Sequence, residues 1–383
     1  MYRFPLLLLI TIIISFDGLA QDLNYAKKTI NILASKKYWG RGYTKNGMAK
    51  AADFIEKEFK KFGLTAVNGT DFKQEFTFAV NTFPGKMKVK LNGVTLKPGR
   101  DFIVHQASKG AATTDSLIKK DRITYLSKNG NIALSIQPKL TWSVAQKELD
   151  YTVIEVSKTA VLTEPVVIDV AIENKIETTF TAANVVGMIK GTVKPDSILM
   201  FTAHYDHLGG MGNKTYFPGA NDNASGVAML LNLAKYYATN PPKYSIVFIA
   251  FAAEEAGLLG SKYFTENPLV PLKNIRFLWN LDLMGNGDAG ATVVNATIHP
   301  QEFALLNKIN GEKKYLLKIN PRGKAANSDH YFFTEKGVPA FFLYTQGGSP
   351  AYHDVDDIAK NLPLTAYENL FKLFVGFNQR IIN

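Results

Sequence analysis

The chain has 383 residues, of which 46% are hydrophobic and 20% charged, an ordinary globular composition with ample apolar material for a core. Its net charge is +11, but the lysines are scattered apart from short pairs such as Lys27-Lys28 and Lys60-Lys61, so no basic patch for nucleic acid is predicted. There is no cysteine, which excludes disulfides, thiolate metal sites and cysteine nucleophiles, and any metal must be held by carboxylates and a few of six histidines.

Residues 1–20 read as a secretory signal: Arg3, an apolar run over Leu6–Ile14, and small residues in Gly18-Leu19-Ala20 before Gln21. That run is too short to span a bilayer comfortably, and no second segment qualifies, so no membrane anchor is expected after cleavage. A secreted or periplasmic location follows. A helical stripe covers 22–38, through Leu23, Ala26, Ile30 and Leu33. After Trp39-Gly40-Arg41-Gly42 a second helix is predicted over Gly47–Phe62, stopped by Gly63. Phe72–Phe78 reads as a strand.

From Val80 to Phe180 hairpin signals recur, among them Leu91-Asn92-Gly93-Val94 and Lys128-Asn129-Gly130-Asn131, while long amphipathic helices are scarce. This stretch is predicted to be a β-rich inserted domain, residues 80–180, dividing a main domain made of 21–79 and 181–383. His105 stands alone in it and reads as structural or exposed.

From Asn184 the pattern turns α/β. Strands are expected at Val185–Ile189, Ile198–Ala203, Ile246–Ala252, Ile275–Leu281 and Ala340–Tyr344. Helices are expected from Ala224 to Asn240, over Leu258–Glu266, Gln301–Asn310 and Ser328–Lys336, and from Thr365 onward. The fold class is therefore α/β, a mixed central sheet flanked by helices.

Four of these strands end in ionisable groups. The first delivers His204 and Asp206, with Asp222 in the loop beyond, and the second delivers Glu254-Glu255. The third ends in Asp282, and the fourth leads to Tyr352-His353-Asp354. Each has an ordinary structural explanation, a helix-capping Asp or an acidic helix start. Together, at strand ends of an open α/β sheet, they describe a site. Buried carboxylates repel one another unless neutralised, and a pair of divalent cations held by His and carboxylates, without sulfur, suits zinc in hydrolytic work.

The set resembles the zinc-dependent aminopeptidases of the M28 type, over roughly 181–383 and the N-terminal helices. The resemblance implies a peptidase acting on peptide substrates with two zinc ions. His204, Asp222, Glu255, Asp282 and His353 match the metal ligands, with Asp222 bridging, and Asp206 matches the residue that orients His204. Glu254 matches the general base towards a metal-activated water, and Tyr352 stands where the family places a phenol near the substrate carbonyl. His207 falls outside the motif, and His330 of Ser328-Asp329-His330 matches supporting structure. The resemblance also implies a cis peptide between Asp222 and Asn223.

Three alternatives stay open. A glutaminyl cyclase-like enzyme resembles this fold with one zinc, but such relatives carry Trp where this chain has Tyr352. A carboxypeptidase-type relative needs cations to clamp a carboxylate, and Arg322 and Lys324 are the candidates. A non-catalytic binding protein would most simply have lost a ligand or the base, and none is missing. The preferred terminal residue and the oligomeric state are not legible.

Overall fold

The computed structural model describes residues 22–67 and 69–382, so the leader expected at 1–20 lies outside the described residues. Nine strands form the main sheet: β1 (Thr65–Ala66), β2 (Lys73–Thr82), β3 (Lys175–Ile189), β4 (Lys194–His204), β5 (Tyr244–Phe251), β6 (Ile275–Leu281), β7 (Ala291–Val294), β8 (Ile319–Pro321) and β9 (Ala340–Thr345). They run in the order β1-β3-β5-β4-β6-β9-β7-β8, with β2 also on β3. The centre is parallel, β5 with β4, β4 with β6 and β6 with β9, and antiparallel partners flank it.

Alternation along the central strands explains the layers. Leu199, Phe201, Ile246 and Phe248 face one way, into the cluster built by α1 (Leu23–Leu33), α2 (Gly47–Phe62), α3 (Gly226–Thr239), α5 (Pro300–Lys313) and α7 (Tyr367–Ile381). Ile198, Met200, Val247 and Ile249 face the other way. There Phe264 of α4 (Leu259–Glu266) and Phe333 of α6 (His330–Glu335) cover them. Because both faces are covered, the strands read as continuous apolar runs rather than as alternating ones.

A second sheet of eight strands spans residues 87–172 and has its own apolar cluster, including Phe102, Trp142 and Ile154. Both predicted hairpin signals join antiparallel strands there, Met87–Leu91 to Val94–Thr95 and Thr124–Ser127 to Ile132–Gln137. Leu208, Met211 and Phe217, from the long loop after β4, belong to this second cluster, so the loop ties the two sheets together.

The first helix ends earlier than its apolar stripe suggests. It stops at Leu33, and Lys36–Arg41 form a tight 3-10 turn in which Trp39 and Gly40 take left-handed conformations. A Cβ on Gly40 would come within 2.3 Å of the Phe217 carbonyl oxygen, so only glycine fits. Among the described residues no helix is long and apolar enough to cross a membrane.

Candidate active site

The parallel centre of the sheet points the carboxyl ends of β4, β5, β6 and β9 to one edge, where the loops that follow carry the ionisable groups. That is the edge at which open α/β sheets bind ligands. The loop after β4 is held by its own side chains. Asn223 Nδ2 donates to the Leu281 carbonyl at 2.9 Å, and its Oδ1 accepts the Gly226 N–H, also at 2.9 Å. Ser225 Oγ donates to the Asn221 carbonyl at 2.7 Å and accepts the Met284 N–H at 2.8 Å. Asn221 Oδ1 accepts the Gly285 N–H at 2.9 Å. The run Asn221–Ser225 thus staples the loop bearing Asp222 to the loop bearing Asp282. The peptide between Asp222 and Asn223 is cis.

Asp222 sits at the centre. Its Oδ1 lies 3.3 Å from His204 Nε2, which is also 3.4 Å from Asp282 Oδ1. Its Oδ2 lies 3.1 Å from His353 Nε2, which is also 3.2 Å from Glu255 Oε2. Each carboxylate oxygen of Asp222 therefore belongs to a different trio of donors. Two donors on one tetrahedral zinc, each at ~2.0–2.1 Å, lie ~3.3 Å apart, so all four contacts have the spacing of a shared metal.

The tautomers agree with this. His353 Nδ1 lies 2.9 Å from the Trp142 carbonyl, and His204 Nδ1 lies 3.3 Å from the Asp206 carbonyl. A carbonyl only accepts, so both Nδ1 atoms carry hydrogen and both Nε2 atoms, the ones a metal would take, face the carboxylates. The remaining expected residues lie alongside. Asp206 is fully buried. Its carboxylate accepts the backbone N–H of Glu254 at 3.1 Å and of Glu255 at 3.2 Å, and reaches His204 Nδ1 only at 3.7 Å. It fixes the Glu254-Glu255 turn at least as directly as it fixes the imidazole. A carboxylate oxygen of Glu254 lies within 4.8 Å of ligand atoms of His204 and Glu255. Tyr352 stands at the rim, 46% exposed, with its ring stacked on His353 at 4.0 Å between centroids.

The electrostatics are those of concentrated negative charge. Burial alone would lower His353, yet Glu255 and Asp222 raise it to about 11. Burial pushes Glu254 well above the usual carboxylate range, reinforced by Glu255, Asp329 and Asp282 and only partly offset by His204. The donor chemistry, three imidazoles and several carboxylates in a buried cluster, fits divalent cations.

Three contributors were not legible as site residues. His207 is fully buried and its Nδ1 is 2.8 Å from Glu255 Oε1, inside the cluster rather than outside it. Asp357 accepts the N–H of Asn221 at 2.9 Å and of Asp222 at 3.1 Å. Arg41 is fully buried and donates to the carbonyls of Tyr205, Leu33, Pro218, Gly219 and Asp222. The only signal for Arg41 was its place between two glycines. Outside the cluster, His105 accepts the Ala107 N–H at 3.3 Å, and His330 is buried beside the backbone of Ala325 and Ser328.

The sequence profile of Peptidase family M28 matches residues 184–377, half of the chain. This chain belongs to that family. An aminopeptidase of Bacillus subtilis, YwaD, is 30% identical to this M28 protein over 191 residues, 48% of this chain and 41% of that protein. A probable zinc metalloprotease of Pyricularia oryzae is 39% identical over 106 residues, 27% of this chain and 21% of that protein. The chain thus spans less than half the length of these curated relatives.

Solved structures share the fold of the M28 chain throughout. The zinc aminopeptidase BSAP of Bacillus subtilis has a TM-score of 0.68 at 20% identity, covering 92% of this chain and 93% of that one. The aminopeptidase of Aneurinibacillus sp. strain AM-1 has a TM-score of 0.65 at 21% identity, covering 94% and 93%. The mixed α/β architecture expected from the sequence is the one these proteins have.

Proposed function

We propose that this M28 chain is a di-zinc aminopeptidase that removes N-terminal residues from peptides. The observation that carries the reading is the division of Asp222 between two donor trios, His204–Asp222–Asp282 and His353–Asp222–Glu255. These residues would hold two zinc ions, with Asp222 bridging. When bound, zinc supplies Lewis acidity towards the scissile carbonyl and lowers the pKa of water to near neutrality.

The chain's own groups do the rest. Glu254, whose proton affinity burial raises, accepts a proton from the attacking water and returns it to the leaving amine. Asp206 holds the backbone of Glu254 and Glu255 and so keeps base and ligand in their separate places. Tyr352, stacked on His353 at the rim, is positioned to donate its phenol hydrogen to a developing oxyanion.

Aminopeptidase is favoured over carboxypeptidase action because Lys324 is already ion-paired with Glu335, leaving Arg322 as a clamp with only a 3.4 Å contact to Tyr344. The relatives' names point the same way. We further infer that the expected insert at 80–180, less its two ends, which belong to main-sheet strands β2 and β3, is an inserted domain, and that residues 1–20 are a cleaved leader, giving a secreted or periplasmic enzyme.

A panel of aminoacyl chromogenic substrates and N-blocked peptides tests the activity. Turnover of free-amine substrates by protein carrying two zinc ions per chain is expected. Cleavage only at C-termini, or cyclisation of N-terminal glutamine with ammonia release, would replace the reading.

A further inference from the structure

Accepting the two-metal reading above, one buried histidine in the cluster has no role in it. His207 stands beside Asp222, Glu255 and His353, and its nearest ring nitrogen lies within 4.8 Å of a ligand atom of each. Two roles suit such a group, a further metal donor or a residue that orients a donor.

The distances decide between them. His353 Nε2 lies 3.1 Å from Asp222 Oδ2 and 3.2 Å from Glu255 Oε2, near the ~3.3 Å expected of donors on one tetrahedral metal. His207 Nδ1 lies 2.8 Å from Glu255 Oε1, which is hydrogen-bond length, and it reaches the other oxygen of that carboxylate. Its distance to Asp222 is 4.0 Å, to the oxygen that faces His204. A carboxylate cannot donate, so the hydrogen in this bond sits on Nδ1 and no lone pair is left there for a metal.

The ring is not free to turn elsewhere. A Cβ on Gly219 would lie 2.4 Å from His207 Cδ2, so the Gly219 backbone packs directly against the imidazole. On another side the His353 ring meets it edge-on at 5.6 Å. The outer nitrogen, Nε2, is buried without a hydrogen-bond partner.

We propose that His207 is a positioning residue: its Nδ1–H occupies Glu255 Oε1, so that Glu255 presents the single oxygen Oε2 to the metal it shares with His353 and Asp222. A one-oxygen Glu255 limits the protein donors at that metal and keeps a coordination position for water or substrate.

The test compares wild type, H207L and H207N for zinc retained per chain against graded chelator, and for imidazole count by X-ray absorption. Wild type should hold two zinc ions with two imidazoles between them, from His204 and His353. H207L should keep two imidazoles but release its weaker zinc at ~10–100-fold lower chelator, the usual effect of removing such a partner. H207N, whose amide nitrogen falls near the place of Nδ1, should recover most of that retention. Three imidazoles in wild type make His207 a ligand and overturn the inference, as does unchanged retention in H207L. The wild-type count stands alone if H207L does not fold. A wild type that binds a single zinc removes the two-metal reading itself, a different result from either.

Discussion

The carbonyl of Trp142 accepts the Nδ1–H of His353 at 2.9 Å, and the Trp142 N–H returns to the His353 carbonyl at 3.1 Å. These residues are 211 positions apart in sequence, Trp142 from the β-rich region and His353 from the loop after β9. A residue of the second sheet's cluster therefore sets the tautomer and direction of an imidazole in the main-sheet site. Trp142 is in turn fixed by stacking on Phe217 at 4.6 Å and by donating its indole N–H to the Val104 carbonyl at 2.7 Å.

Trp142→Ala is thus expected to weaken metal retention at the trio containing His353, besides the ~3–5 kcal/mol cost of a large core truncation. Phe102→Ala is the control, because Phe102 is fully buried in the same apolar cluster, whereas the bonds to the histidine come from Trp142. Melting temperatures should fall in both. Zinc per chain after identical dialysis should fall in the first only, and equal loss would reduce the Trp142 contact to ordinary packing.

Adjacent glutamates are expected to fail in different ways. Glu254→Gln keeps shape but removes the basic oxygen, so both zinc ions should stay while the peptidase rate falls by ~10²–10⁴-fold, towards the upper end. Glu255→Gln should release the zinc shared with His353, with partial recovery in excess zinc. Metal analysis beside rate measurement on the two variants separates the roles, and metal loss confined to Glu254→Gln would reverse them.

The strands that carry this site were legible because they are buried on both faces, and β6 falls at Ile275–Leu281 as predicted. α2 likewise spans Gly47–Phe62, with Gly63 in the left-handed conformation that ends it. The short strands β7 and β8 at one end of the sheet were not, since four and three residues carry too little periodicity to distinguish from loop. Within the site, residues that offer a side chain to a metal follow recognisable strand ends. Residues that act on backbone leave no such trace: Asp357 serves two N–H groups, and Arg41 binds carbonyls distant in sequence. His207 was passed over for a different reason: it falls outside the matched motif, and its side-chain partner Glu255 lies 48 positions away.

Arg41 is the strongest case for stability. Burial lowers its guanidinium to about 10, with Asp222 and Asp357 opposing that effect, so the group stays charged. Arg41→Lys keeps the charge but cannot satisfy carbonyls arranged around a planar fork. Several buried carbonyls would lose their donors, at ~1–3 kcal/mol each where no water replaces it. Thermal or urea unfolding should show a loss of several kcal/mol. A change within ~0.5 kcal/mol, the range of ordinary surface substitutions, would mean that the carbonyls find other partners.

Asp357 offers a test of whether Asp222 serves two metals. Its carboxylate accepts the N–H groups of Asn221 and Asp222, and its own carbonyl accepts the Ala220 N–H, so it sets the path of the loop on which Asp222 is carried. In Asp357→Asn one oxygen becomes an NH₂: at the Oδ1 place it opposes the Asn221 N–H, and at the Oδ2 place it opposes both that group and the Asp222 N–H, so the loop is pushed away in either placement. A displaced Asp222 would move both of its oxygens, Oδ1 beside His204 and Oδ2 beside His353. Asp282→Asn alters only the trio containing His204. Titration with chelator should therefore show both zinc ions weakened in Asp357→Asn and one weakened in Asp282→Asn. If Asp357→Asn loses a single zinc while the other holds at the wild-type chelator concentration, Asp222 does not bridge and the two trios are independent.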